Sequence, residues 1–266
     1  LQGTVDVDCF GDTDGQISVY ATGGTPLYEY SISGGVYQAT QVFTGLAAGL
    51  YTITVRDSLG CTDNITTSIF EPGLIQVDSF SVANVSCFGG SDGSALVNVS
   101  GGTLAASSEY QYNWYNSNGN LYPNNLSGLS NNAINLQEGF YNISIIDDNG
   151  CTGSGQTYIS QPLELLVTSN ITSNHNNHHI SCFGYNDGSA SALAFGGTPP
   201  YLYDWGISVD PNALYSGTYV VIATDNNGCT ASSSVTLIDP PAIITEMINV
   251  SHVTCEGWSN GQATVN

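Results

Sequence analysis

The chain has 266 residues, 41% hydrophobic and 9% charged, and a formal net charge of −21 that comes from 22 acidic side chains and one basic side chain, Arg56. This excess of negative charge repels phosphate backbones and anionic lipid headgroups, which excludes nucleic-acid binding and binding to an anionic membrane surface. Because the chain has no lysine, a phosphate-binding lysine, a Schiff-base lysine and a lysine isopeptide bond are also excluded.

No apolar stretch reaches the roughly 18 residues that span a bilayer, and no signal peptide opens the sequence. Both termini read as strands. We therefore expect this chain to be a segment of a longer exported protein, with the targeting and anchoring segments elsewhere.

A seven-residue motif occurs four times, and its copies begin at Cys9, Cys87, Cys182 and Cys255. Each copy has a cysteine, a glycine two residues later, and a closing Asp-Gly or Asn-Gly pair. Self-similarity at a spacing of this size indicates a tandem array. The predicted repeats are residues 1–72, residues 73–162 with a loop insertion, residues 163–240, and the start of a truncated fourth repeat at 241–266.

The first repeat shows the predicted elements in order. Residues 16–21 alternate apolar and polar side chains, which is the pattern of a half-buried strand, and glycines and a proline break the chain at 23–26. An aromatic strand is predicted at 27–32, a further strand at 49–56, and a last strand at 61–70.

The same pattern returns in the second and third repeats, and no segment longer than a turn has helical periodicity. The second repeat differs in its connection at 116–137, which is long and rich in Asn, Ser and Gly. The sequence therefore predicts an all-β fold, a tandem array of small immunoglobulin-like β-sandwiches. Proline at each linker predicts stiff, end-to-end joints.

The seven cysteines predict one disulfide in each complete repeat. The predicted pairs are Cys9–Cys61, Cys87–Cys151 and Cys182–Cys229, while Cys255 has no partner in the sequence. Closing a loop of about 50 residues contributes roughly 4 kcal/mol in the chain-entropy model. Free buried thiols and metal ligation are the alternatives, although the clustered Cys-x-x-Cys spacing of zinc sites is missing. Disulfides indicate an oxidising compartment.

Two acidic residues of the first motif, Asp12 and Asp14, resemble the start of a calcium-binding loop. The alternative is a tight turn in which the Asx residue adopts a positive φ beside glycine. Only the Asx residue recurs in all four copies, since the position of Asp12 holds Gly, Tyr or Trp elsewhere. This favours the turn, so no cofactor is predicted, and calcium at Asp12 and Asp14 stays the alternative.

Residues 89–93 match the Gly-x-Ser-x-Gly pattern of a hydrolase, but that motif needs a helix after it and a strand is predicted here. Ser91 is replaced by Thr, Asn or Ser in the other copies. The sequence therefore predicts no enzyme.

Other candidates lie on the aromatic strands and on one turn. Trp114 and Trp205 are candidate glycan contacts, with core packing as the alternative, and Ser58 lies in a short Asp-Ser-Leu match to an O-glycosylation signal. The Gly-x-Tyr stretches resemble a tyrosine corner and contain Tyr51, Tyr141 and Tyr219.

The ordered set of motifs resembles the SprB repeat of giant surface adhesins of gliding and other Bacteroidota. It consists of Cys-Phe-Gly-x-x-Asp-Gly, Gly-Gly-Thr-Pro-x-Tyr, Leu-x-x-Gly-x-Tyr, Asp-x-x-Gly-Cys and a closing acidic-Pro pair. The second repeat departs from it, because Leu104 and an insertion follow its Gly-Gly-Thr. The resemblance implies no catalytic residues.

The resemblance further implies a bacterial cell-surface filament, exported by the type IX secretion system, that binds surfaces or polysaccharide and serves gliding motility. We therefore expect a structural and adhesive stalk. Its partners would be further repeats of the same polypeptide at both ends and extracellular surfaces, with no membrane insertion in this segment. An array of carbohydrate-binding modules is the alternative.

Overall fold

The computed structural model describes residues 2–105, 109–121 and 130–265. These residues form strands and turns without any helix, and they fall into two compact units. The first unit comprises Leu1–Val85 with Gly89–Gln161, and the second comprises Ser86–Phe88 with Pro162–Asn266.

The first unit contains twelve of the described strands, which belong to the first two repeats. They are β1 (Gly3–Val5), β2 (Gly15–Ser18), β3 (Glu29–Ile32), β4 (Val42–Leu46), β5 (Gly49–Arg56), β6 (Thr62–Ile69), β7 (Gly73–Ala83), β8 (Gly93–Gly102), β9 (Gln111–Asn116), β10 (Asn132–Leu136), β11 (Gly139–Ile146) and β12 (Thr152–Ile159).

The second repeat is a sandwich of two three-stranded sheets. Their strand orders are β10-β8-β7 and β12-β11-β9, and every neighbouring pair is antiparallel. The first, second and fourth strands of the repeat thus form one sheet and the third, fifth and sixth form the other, which is the immunoglobulin-like division of strands. Residues 122–129 of the predicted loop insertion lie outside the described residues.

The core of this sandwich follows from period-two alternation. Ala95 and Val97 of β8 are fully buried, as are Ile145 of β11 and the indole of Trp114 between the sheets. Their neighbours along each strand point outward. Successive side chains of a strand lie on opposite faces, so one sequence pattern produces both a core and a polar surface.

The first repeat repeats this plan with a shorter first strand. Its sheets are β1-β2-β4 and β3-β5-β6, and Ile17, Tyr30, Ile53 and Ile69 form the centre of its core.

The second unit holds the third repeat and the start of the fourth. Its strands are β13 (Leu166–Ile171), β14 (Ala190–Phe195), β15 (Leu202–Asp204), β16 (Gly217–Thr224), β17 (Thr230–Leu237), β18 (Met247–Ser251) and β19 (Gln262–Val265). They pair as β13-β14, β15-β16-β17 and β18-β19. Within the three described ranges, no helix has the length and hydropathy to traverse a bilayer.

The predicted fold class, an all-β array of immunoglobulin-like sandwiches, is confirmed, but the predicted disulfide pairs are wrong. The structure bonds Cys9 to Cys151 and Cys87 to Cys229, with Cα–Cα distances of 5.5 and 5.7 Å. The cysteines Cys61, Cys182 and Cys255 are free and exposed.

The reason is that the two cysteines of one repeat lie at opposite ends of its sandwich. In the first repeat, the loop after Cys9 leads into Gly15, which pairs with Leu46 just before β5, whereas Cys61 follows the far end of β5. A strand of eight residues spans about 26 Å, and a disulfide needs Cα atoms within about 7 Å. Each bond therefore joins the opening cysteine of one repeat to the closing cysteine of the next.

Candidate functional site

The opening loop is the first half of the junction between successive repeats. In its first copy, the N–H of Asp12 donates to the carbonyl of Cys9 at 3.1 Å, and Gly11 adopts a φ of 80°. Oδ1 of Asp14 then accepts a hydrogen bond of 3.2 Å from the N–H of Asp8, which closes the loop from behind. Asp187 and Asn260 accept equivalent bonds in the third and fourth copies.

The turn interpretation of the motif is confirmed in kind and wrong in detail. The positive φ belongs to the glycine after the cysteine, as at Gly11 and Gly184, and Asp14 and Asp187 have none. The second glycine of the motif is required by packing instead. A Cβ at Gly93 would lie 2.8 Å from Cγ2 of Ile159 and 2.9 Å from the carbonyl oxygen of Leu136.

A residue at the end of each repeat holds the opening loop. The N–H of Gly11 donates to Oε2 of Glu71 at 2.7 Å, and the N–H of Gly89 donates to Oε1 of Gln161 at 2.6 Å. These acceptors immediately precede the linker proline. The closing acidic-Pro or Gln-Pro pair of the sequence motif therefore fixes the loop from which the opening cysteine projects.

The residue three positions before each opening cysteine accepts a further hydrogen bond. The acceptors are Oδ1 of Asp6, Oδ1 of Asn84 and Nδ1 of His179, and their donors are N–H groups that follow the last strand of each repeat. His179 thus has a structural role that Asp and Asn fill in the other repeats.

The second half of the junction is the closing turn, organised by a buried aspartate. Oδ1 of Asp147 accepts from the N–H groups of Asn149 at 3.0 Å and Cys151 at 2.8 Å. Its Oδ2 accepts from the N–H of Thr103 at 2.8 Å, in the Gly-Gly-Thr loop. Asp57 and Asp225 make the same contacts.

This arrangement explains the paired glycines that precede the threonine. Gly102 has a φ of 66°, and a Cβ there would lie 2.7 Å from Oδ2 of Asp147. A side chain at this position would displace the carboxylate from the loop that it holds.

The carboxylates of these turns are stabilised in the charged form. The hydrogen bond from the backbone of Thr25 is the main cause that lowers the pKa of Asp57, with further bonds from the turn. For Asp225, burial is the largest single influence and raises the pKa, but backbone hydrogen bonds from Thr198, Cys229 and Asn227 together outweigh it and lower the pKa.

Sequence reasoning assigned these aspartates only to a turn. The signal that identifies them is their constant position, four residues before each closing cysteine and one strand after the Gly-Gly-Thr loop.

The two halves meet at each disulfide. Beside the Cys9–Cys151 bond, Nδ2 of Asn149 donates to the carbonyl of Asp8 at 3.0 Å. In the second unit, Nδ2 of Asn227 donates to the carbonyl of Ser86 at 2.9 Å beside the Cys87–Cys229 bond. The junction is therefore a repeated structure built from a covalent bond and an amide hydrogen bond.

The calcium candidates do not converge with other ligands. Asp14 serves the loop as described, and Asp12 is exposed. Throughout the described part of the chain, no group of three His, Cys, Asp or Glu side chains is placed to hold a metal ion.

The predicted glycan contact at Trp114 is wrong, because its indole is fully buried in the core of the second repeat, where it packs edge-on against Phe80. A strand position that faces the opposite sheet cannot present its ring to a sugar. Trp205 is half-buried against the core of the third repeat, which contains Ile180 and Leu214. Ser58 is exposed, and its hydroxyl donates to the carbonyl of Thr25 at 3.4 Å.

The tyrosine-corner prediction is confirmed. The hydroxyls of Tyr51, Tyr141 and Tyr219 each donate to the carbonyl four residues earlier, at 2.9, 3.1 and 3.2 Å. These bonds fix the start of the strand that leads to the closing turn.

Comparison with known proteins gives one family match. The model described as "SprB repeat" matches residues 2–36, 79–119 and 179–206. No curated protein sequence matches the chain.

Solved structures of immunoglobulin type are similar at low identity. The amphioxus IgVJ-C2 molecule has 13% identity and a TM-score of 0.26, with 55% of this chain and 95% of that chain covered. The protocadherin GammaB4 extracellular domain has 12% identity and a TM-score of 0.34, with 97% and 52% covered. The first five immunoglobulin domains of Sidekick-1 have 14% identity and a TM-score of 0.24, with 90% and 57% covered.

Proposed function

This chain carries SprB repeats, and from that premise we propose that it is a non-catalytic, structural and adhesive stalk segment of a bacterial cell-surface adhesin. The observation that carries the proposal is that the recurring side chains all serve the fold or the junctions. Cysteine, the turn aspartate and the corner tyrosine keep their partners from repeat to repeat. The residues with chemical potential, such as Ser91 and Asp12, vary.

The junctions support a load-bearing role. A disulfide that closes 142 residues of chain contributes about 5 kcal/mol in the chain-entropy model, which is comparable with the whole stability of a small domain. The high negative charge keeps such arrays soluble and limits association with other anionic surfaces.

We further propose an extracellular location, with export by the type IX secretion system, a role in gliding and attachment, and further repeats of the same polypeptide as neighbours. Support for these finer statements comes from the sequence resemblance. The repeat boundaries at 72/73, 162/163 and 240/241 belong to the same proposal. Burial of Trp114 removes one of the two residues on which the carbohydrate-binding alternative depended.

Two measurements test the proposal. Small-angle scattering should give a radius of gyration well above the roughly 18 Å of a compact protein of 266 residues. A value near 18 Å would contradict the stalk. Beads coated with the native chain should adhere to glass or polysaccharide under flow more strongly than beads coated with reduced and alkylated chain. Equal retention would contradict the adhesive role.

A further inference from the structure

The first repeat has an open groove of about 370 Å³ along the edge of its first sheet. The groove is lined by the buried side chains of Val19, Tyr30 and Ile53, and Cys61 lies on its wall. Ile65, also on the wall, is 39% exposed. The groove is therefore an uncovered part of the hydrophobic core.

The second repeat fills the same place with a strand. There β7 pairs with the full length of β8, with Gly73 opposite Gly102 and Val77 opposite Val99. Ile75 of β7 is buried in the core. In the third repeat, β13 covers β14 in the same way.

In the first repeat, β1 pairs only with residues 16–18. Among the described residues, no strand on that side pairs with residues 19–24. The missing cover is thus the length of strand that corresponds to the first half of β7.

A buried polar atom also marks the groove. Tyr30 is 2% exposed and lines the groove, and its hydroxyl has no hydrogen-bond partner among the described residues. Buried hydroxyls are normally paired, so this atom calls for a polar partner from outside. A strand supplies one, since its backbone carries N–H and C=O groups at every position.

The cysteine beside the groove is equivalent to two cysteines that are already bonded. Cys61 is exposed and free, whereas Cys151 and Cys229 hold the same position in the next two repeats and bind the opening cysteine of the preceding repeat. At the junction in the first unit, Cys9, Cys151 and the start of β7 line one cavity. An occupied junction therefore receives a cysteine and a strand together, from one upstream repeat.

The third and fourth repeats offer this pair of groups. Cys182 is free and exposed, and Gly184 of its loop is held by Asp239, which precedes the linker proline. Ile243 stands as far before Cys255 as Ile75 stands before Cys87, and it is 95% exposed.

The groove also selects the strand. The second repeat has Gly153 and Gly155 against Ile75 and Val77, whereas the first repeat has Asp63 and Ile65 at those positions. The added strand must therefore carry a smaller side chain where β7 has Val77. The linker after the third repeat has Thr245 there.

We propose that the first repeat is an acceptor site for a second copy of this chain. Residues 240–246 of one copy enter the groove as an added β-strand, and Cys182 of that copy forms a disulfide with Cys61 of the other. This inference goes beyond the proposed function, because assembly between copies requires no adhesion to a foreign surface.

The bond requires an oxidant, and oxidised glutathione suffices. The Cys61 thiolate attacks one sulfur of oxidised glutathione and displaces one glutathione thiolate. The Cys182 thiolate then attacks the Cys61 sulfur of the mixed disulfide and displaces the second. The two protein thiols lose two electrons and two protons in total, and two molecules of reduced glutathione form.

Two variants isolate the proposed pair. The donor carries Cys61→Ser and Cys255→Ser and keeps Cys182, while the acceptor carries Cys182→Ser and Cys255→Ser and keeps Cys61. They are mixed in a glutathione redox buffer at about 0.15 M salt, which screens repulsion between the two acidic chains. Non-reducing electrophoresis and intact mass measure the products.

We expect a one-to-one heterodimer from the mixture and monomers from each variant alone. Homodimers that form as fast as the heterodimer would show random oxidation of exposed thiols and overturn the proposal, as would the absence of a heterodimer.

The contribution of the strand is tested separately. Thr245→Trp in the donor and Tyr30→Phe in the acceptor should each slow heterodimer formation, the former about tenfold, whereas Leu202→Trp at an exposed site of the third repeat should not. Equal rates for Thr245→Trp and Leu202→Trp would overturn the strand. Adhesion of alkylated monomers to beads is measured independently, so failure here and failure of the proposed function are distinguishable.

Discussion

The backbone N–H of Thr198 donates a hydrogen bond of 2.8 Å to Oδ2 of Asp225, which lies 27 residues later in the chain. The same carboxylate accepts two bonds from its own turn, and it is 4% exposed. A single side chain thus ties the loop after the second strand of the repeat to the turn that carries the closing cysteine.

Replacing this carboxylate should destabilise the third repeat and change its response to acid. In Asp225→Asn the amide can no longer accept every backbone bond, and we expect a loss on the order of 2 kcal/mol in the free energy of unfolding near pH 7. Urea titration of the two proteins measures the loss. The exposed Asx-turn variant Asp210→Asn should change stability by less than about 0.5 kcal/mol.

The sign of the pH dependence follows from the direction of the shift. The pKa of Asp225 is lowered in the folded protein, and an unfolded aspartate has a pKa of about 3.9. Its contribution is therefore fully present above about pH 4 and is lost as the pH falls through the folded pKa. Urea titrations from pH 7 to pH 3 should show a smaller acid-induced loss in Asp225→Asn than in the wild type. Parallel curves would contradict this assignment.

The disulfide pattern predicts which cysteines matter for stability. Cys9→Ser should lower the stability of the first unit by about 2–5 kcal/mol, since it opens a closed loop of 142 residues. Cys61→Ser should leave the monomer unchanged, because that thiol is free. Thermal melts measure the effect, and peptide mapping without reductant should recover Cys9 linked to Cys151. Recovery of Cys9 linked to Cys61 would refute the pattern.

The second glycine of the opening motif should not tolerate a methyl group. Gly93→Ala places a Cβ against Ile159 and the carbonyl of Leu136, and we expect a loss of about 2 kcal/mol from overpacking. Gly3→Ala is the matched control, since a Cβ there has nothing within 4 Å. Chemical denaturation that finds both variants equally stable would show that the glycine is not required by packing.

The tyrosine corner should contribute a smaller amount. The hydroxyl of Tyr141 donates to the carbonyl of Gln137 and accepts from its N–H, both at 3.1 Å, and the ring is 4% exposed. Tyr141→Phe should therefore cost about 1–2 kcal/mol, while Tyr185→Phe at a ring that is 58% exposed should cost little. Denaturation midpoints with unchanged slopes would separate a loss of stability from a change in the unfolded state.

The sequence predicts well what local patterns determine. Alternation in β8 and the Gly-x-Tyr stretches predict strands and corners correctly, because side-chain periodicity and a tie of four residues are short-range properties. The disulfide partners were mispredicted because Cys9 and Cys61 are close in the repeat but lie at opposite ends of a strand. Proximity along the chain contains no information about which end of a sandwich a loop occupies.

Burial of particular side chains was likewise beyond local pattern. Trp114 and its neighbours alternate between two faces, and only the packing of the opposite sheet decides which face is covered. The role of Asp147 also depends on a loop 44 residues away. The repeat boundaries stay a prediction.

The overlapping disulfides limit how far the chain can be pulled. Between Cys9 and Cys229 the polypeptide runs through 220 residues, but either bond shortens the covalent route to 78 residues, from Cys151 to Cys229 or from Cys9 to Cys87. At about 3.5 Å per extended residue, complete unfolding under tension would release roughly a third of the contour length of the reduced chain. The molecule would therefore act as a tether of limited extensibility, whose reach changes with the redox state of its surroundings.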